Sequence, residues 1–182
     1  PKLTTATREV KRNYKNFHVK ADPESEETIP HKNIVKYLGV NIDENLKYTE
    51  HVKIQLSKAE KAFQTLKRLF HNKHLNKRTK VICYMLLVRP ILTYGCVVWF
   101  NQSTHIMEKL RCFERKCLRA CLSLYRTEES NYKHYVSNLK LYEAAKIPRI
   151  DIHIIKLIRD YWSNIKNTTN PIITESCQYE EN

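Results

Sequence analysis

Residues 48–70 read YTEHVKIQLSKAEKAFQTLKRLF, and the spacing of their apolar side chains decides the fold class. Val52, Leu56, Ala59, Phe63, Leu66 and Phe70 fall 4, 3, 4, 3 and 4 residues apart, which lines one face of an α-helix and no face of a strand. Thr49 is placed to cap this helix, because its hydroxyl can accept an N–H group that the first turn leaves unpaired. Lys61 and Arg68 lie opposite the apolar line, with Lys53 and Lys58 on its flanks. The first long helix is therefore apolar inward and basic outward.

The same spacing returns at Ile106, Leu110, Phe113, Cys117, Ala120 and Leu124, with Ser103 or Thr104 as the cap. Between the two lies VICYMLLVRPILTYGCVVWF, residues 81–100, whose single charge is Arg89. A run this long and apolar is first tested as a membrane span. Arg89 near its middle would cost ~2.5–3.5 kcal/mol there, and Pro90 and Gly95 interrupt the helix. The expectation is no membrane partner and a helix buried on every side, ended near Pro90, then a second short apolar segment turned by Gly95. Two amphipathic helices around an apolar one make a three-helix bundle. Further on, the pattern predicts a short helix near Leu141 to Lys146. A longer one starts around Pro148, with Ile150, Ile154, Leu157, Tyr161 and Ile165 inward.

Upstream of Tyr48 the period is two. NFHVKA suggests a strand ending near Ala21, DPESEET (22–28) a solvated acidic turn, and IPHKNIVKYLGVNID further strand, so a hairpin or a three-stranded antiparallel piece accounts for residues 15–44. Gly39, one of two glycines in the chain, then falls inside a strand, where it marks a bulge or the close approach of another backbone. The expected fold is mainly α: an N-terminal antiparallel hairpin (1–46), a three-helix bundle (47–126), a helical extension (127–170) and a disordered tail (171–182). Residues 1–30 are expected to be the least ordered.

The formal charge is +13 and the isoelectric point near 9.5, which calls for a polyanionic partner or an anionic membrane surface. Six cysteines occur without a CxxC pair, and no secretory leader is recognised before them, so the expected setting is intracellular, in nucleus or cytoplasm. Cys112, Cys117 and Cys121 have helical spacing and could meet as soft metal ligands, but without paired short spacings they read as small core residues. HExxH and GxSxG are absent, and two glycines cannot build a phosphate-cradling loop. His71 and His74 read as solvated loop, and Asp43 and Glu44, as strand neighbours, point to opposite faces. What remains is a binding signal: residues 47–80 hold ten Lys or Arg against Glu50 and Glu60, the kind of stripe that phosphate backbones select.

The order VKYLGVNIDENLKYTEHV, basic helix, LLVRPILTYGCVVWF, LRCFERKCLRACL and LYEAAKIPRIDIHIIKLIRDYW resembles the C-terminal part of reverse transcriptases from jockey-like non-LTR retrotransposons, from about Ile34 to Pro171. The resemblance implies that the YLG segment belongs to the primer grip at the end of the palm, putting Tyr37, Leu38 and Gly39 at the primer backbone. It implies that the following helices form a thumb clamping the template–primer duplex, with Lys53, Lys58, Lys61 and Arg68 as the phosphate-facing set. Catalysis in that family rests on a pair of adjacent aspartates and another earlier in the palm, which bind magnesium. No two aspartates are adjacent in this chain, and the zinc knuckle of some related enzymes is missing.

The expected role is therefore that of a fragment of an RNA-directed DNA polymerase that binds and positions an RNA–DNA hybrid or template–primer duplex. The chain by itself is expected to be inactive and to hold no cofactor, magnesium belonging to the parent polymerase, whose remainder is the protein partner. The alternative is a stand-alone basic helical module, derived from such an element, that binds nucleic acid or protein.

Overall fold

Tyr37 pairs with Val40 in an antiparallel ladder, which leaves Leu38 and Gly39 as the two residues of a tight turn. In the computed structural model, which describes residues 17–22, 25–29, 32–126 and 133–173 (17–29 as backbone only), the N-terminal part forms two separate two-stranded sheets. β1 (Phe17–Asp22) pairs with β2 (Ser25–Ile29), the register shifting between Lys20 and Asp22. β3 (Ile34–Tyr37) pairs with β4 (Val40–Asp43). The acidic stretch expected as a turn thus contributes its second half to β2, and no third strand joins either pair among the described residues.

Gly39 is not inside a strand. Leu38 and Gly39 have φ of 45° and 81°, the positive values at both central positions that suit a two-residue hairpin to the twist of its strands. Glycine adopts this freely, whereas leucine does so at a cost of roughly 1–2 kcal/mol. The turn explains the glycine without a bulge.

Helices follow: α1 (Thr49–Thr65), α2 (Lys67–His71), α3 (Lys77–Leu87), α4 (Arg89–Thr93), α5 (Cys96–Trp99), α6 (Thr104–Leu122), α7 (Asn138–Ala145) and α8 (Ile150–Lys166). The fold is mainly α with a small antiparallel hairpin ahead of it. The backbone divides into two compact units, Pro1–Asn45 and Leu46–Asn182.

Thr49 is the first helical residue, not the cap. Tyr48 precedes it at φ 53° in the left-handed region, and no side chain caps α1; the turn is closed by Val52 N–H donating to the Tyr48 carbonyl at 3.1 Å. Ser103 does precede α6, and its backbone carbonyl, not its hydroxyl, accepts from Ile106 and Met107.

The apolar segment 81–100 breaks twice. α3 stops at Val88, so that Pro90 enters the first turn of α4, where its missing N–H is harmless. Gly95 at φ 67° turns the chain into α5. The segment is not buried on every side: Ile82, Leu86 and Leu87 are exposed, while Val81, Tyr84 and Val88 of α3 and its cap are buried in the core and Cys83 and Met85 pack half-buried against it. No helix among the described residues is long and apolar enough to cross a membrane.

One core unites α1 to α8. Val52, Ala59, Phe63 and Phe70 meet Val81, Tyr84 and Leu92, and Leu110, Phe113, Cys117 and Leu118 of α6 pack among them. Phe63 stacks on Phe70 at 5.2 Å and meets Phe113 edge-on at 6.1 Å. Leu141, Ile150 and Ile154 belong to the same cluster. On α8 the predicted inward line fades along its length: Tyr161 is exposed. Residues 171–173 form a helical turn, and the expectations for the remaining tail, Cys177 and most of residues 1–30 lie outside the described residues.

Candidate functional site

Apolar residues at helical spacing pull one side of α1 and α2 into the core, and this forces the basic residues outward. Lys58, Lys61 and Arg68 are all exposed, and none has an ion-pair partner among the described residues. The chain passes from α1 to α2 through Leu66 (φ −86°, ψ 5°). Leu66 N–H still reaches Ala62 and Phe70 N–H still reaches Leu66, so the helical sense continues. Lys61 and Arg68 thus stay on one side, about 10 Å apart along the axis. Lys53 differs from the other three: it lies on the opposite flank and pairs with Glu50 at 3.3 Å, both partners exposed, a contact that water screens strongly.

Tyr37, Leu38 and Gly39 come together at the tip of the β3–β4 hairpin. Tyr37 is 65% and Leu38 76% exposed, so the turn presents two large apolar side chains at the surface of the first unit.

Sequence reasoning missed the groups that hold the helices in register. Glu114 of α6 is fully buried, accepts three hydrogen bonds and faces one cation. Tyr84 OH (3.1 Å) and the Arg89 guanidinium (3.4 Å) reach Oε1, while Tyr142 OH (2.9 Å) and Ile150 N–H (2.7 Å) reach Oε2. Burial pushes its carboxyl up from the ordinary value, against the pull of Arg89 and the three neutral donors. Burial likewise pushes the Tyr84 and Tyr142 hydroxyls up, the Glu114 charge adding to it. Arg89 also donates to the Pro148 carbonyl at 2.6 Å, so one ion pair joins α3, α4, α6, α7 and the start of α8. The signal available was Glu114 beside Phe113 on a helix face too wide for a simple surface helix.

A second carboxylate fixes α8. Asp151 takes Arg111 Nη2 at 2.7 Å and Arg149 Nη2 at 2.6 Å. Burial alone would raise its carboxyl, but the hydrogen bonds from Arg149, from Ile152 N–H and from Arg111 outweigh it and hold it at about 2. With the folded value below the unfolded one, this stabilisation is present above pH ~4 and is lost as pH falls toward 2, a contribution of about 2 kcal/mol. Urea midpoints measured from pH 6 to pH 2 should fall more for the native chain than for Asp151→Asn, which lacks the titrating group.

Of the cysteines at helical spacing, Cys117 and Cys121 are buried, and burial drives both thiols up, Cys121 to about 12. Cys112 is exposed, a correction to its reading as core, because the α6 face it occupies points to solvent. Among the described residues no three His, Cys, Asp or Glu side chains are grouped to hold a metal ion.

No family model matches the chain, and no solved structure matches it significantly. A curated relative, "Probable RNA-directed DNA polymerase from transposon BS" of Drosophila melanogaster, is 27% identical over 86 residues, 47% of this chain and 10% of the relative. The match supports a reverse-transcriptase-related origin. The matched stretch is thus about a tenth of the relative's length.

Proposed function

We propose that this chain is a segment of a jockey-like non-LTR retrotransposon reverse transcriptase that holds the template–primer duplex and makes no bonds itself. The outer face of α1 and α2 meets the backbone phosphates through Lys58, Lys61 and Arg68, with Lys53 at its edge. The tip formed by Tyr37, Leu38 and Gly39 lies toward the primer backbone, and magnesium is held by the remainder of the longer enzyme. The observation that carries the reading is the exposed basic face without carboxylate partners among the described residues, joined to the similarity to a transposon polymerase. Such a face attracts phosphates without sequence preference, and rigid helices behind it supply position instead of chemistry.

Fluorescence anisotropy on a labelled RNA–DNA hybrid tests this. Lys61→Glu combined with Arg68→Glu should weaken binding at least about tenfold at moderate salt, each lost contact removing a released counterion. Lys53→Glu should change it less, since Lys53 already faces Glu50. Equal affinity in all three proteins would refute the assignment of the face.

A second reading, a basic helical module acting without polymerase chemistry, is favoured by the continuous core that α1 to α8 build. It predicts equal binding to blunt and recessed duplexes. The template–primer reading predicts a preference for a recessed primer 3′ end.

A further inference from the structure

The start of α3 and the end of α7 face a common groove. Asn76 caps α3 by accepting Arg78 N–H at 2.8 Å, and Lys146 ends α7 at φ 52°. A groove of about 700 Å³ lies between these helix ends and the end of α6. Leu124 and Ala144 give its mouth an apolar lining over the buried Val81 and Leu122, and Lys77, Arg78 and Lys146, all exposed, stand around it. Arg78 Nη1 donates to the Ala145 carbonyl at 3.2 Å, which ties α3 to α7 and fixes one of the cations. No carboxylate is among the described residues that line it.

We infer that this groove docks an acidic peptide carrying a bulky apolar side chain. Three cations complement carboxylates, and two of them sit in the first turn of α3, which contains no acidic residue. The helix dipole is already positive there, so the native arrangement is repulsive and a partner's carboxylate relieves it. The apolar lining decides the class of partner. A phosphate backbone gains nothing from apolar surface, and no aromatic side chain lines the groove for a base to stack on. A leucine or phenylalanine anchor, by contrast, fills such a groove while its acidic neighbours meet the cations. This surface is separate from the outer face of α1 and α2 and does not depend on its role.

The test uses the full chain and a labelled, end-blocked peptide, Glu-Glu-Leu-Glu-Glu-Leu-Glu, read by fluorescence anisotropy. Saturable binding is expected, weakened at least about tenfold by Lys77→Glu with Lys146→Glu, by Ala144→Phe, which fills the groove without changing charge, and by serine in place of both peptide leucines. All substituted positions are exposed, and circular dichroism melts verify that the variants fold. Absence of saturable binding, or equal binding of the serine peptide, overturns the inference. So does a charge reversal that weakens an oligonucleotide and leaves the peptide unaffected, which would make the groove a nucleic-acid site.

Discussion

Arg89→Met is expected to lower the unfolding free energy by about 3–5 kcal/mol, because it strips a fully buried carboxylate of its counter-charge. Arg89 is itself 3% exposed, and its guanidinium reaches both Glu114 and the Pro148 carbonyl. Removing it leaves Glu114 with only neutral donors from Tyr84, Tyr142 and Ile150. Adding Glu114→Gln should restore much of the loss, since an amide oxygen still accepts from Tyr142 and Ile150 while the buried charge disappears. Urea unfolding of the native chain, both single variants and the double variant gives the coupling directly. A double variant less stable than Arg89→Met would contradict this account, in which an unpaired charge dominates.

Trp99→Ala should cost a similar ~3–5 kcal/mol, for a different reason. Trp99 is 1% exposed, and its indole N–H donates to the Tyr94 carbonyl at 2.8 Å. That carbonyl lies where the chain leaves α4 and turns through Gly95, and His51 of α1 faces it as well, at 3.3 Å. Burial lowers the His51 imidazole below its ordinary value, although the bond to Tyr94 pulls the other way. The neutral ring then donates through Nε2. Truncating Trp99 leaves a cavity and removes one of the donors that hold this turn. Trp99→Phe should fall between the native chain and Trp99→Ala in the urea midpoint. An alanine variant within about 1 kcal/mol of native stability would show that the segment around Gly95 is not held by this packing.

These two sites mark where the sequence was legible and where it was not. The period of Val52 to Phe70 and of Ile106 to Ala120 was readable because each element buries one stripe and exposes the other, and the outward position of Lys61 and Arg68 followed from it. Residues 81–100 were readable as core but not as three short helices with an exposed side, since an apolar run carries no phase to say which residues face out. Gly39 was misplaced for a related reason: YLGV alternates well enough to pass for continuous strand, and only the pairing of Tyr37 with Val40 reveals the turn. Arg89 was visible as an oddity, but its partner Glu114 lies 25 residues away on another helix. Neither periodicity nor composition reports which distant charge will be buried beside it.

The central claim is that the outer face of α1 and α2 holds a nucleic-acid backbone, and the most direct measurement is the salt dependence of binding to an RNA–DNA hybrid with a recessed primer end. The account predicts that the logarithm of the association constant falls linearly with the logarithm of salt, with a slope of about −2 to −4, and that Lys61→Glu with Arg68→Glu reduces its magnitude by about 2. A slope near zero, or one unchanged by the double reversal, would contradict it.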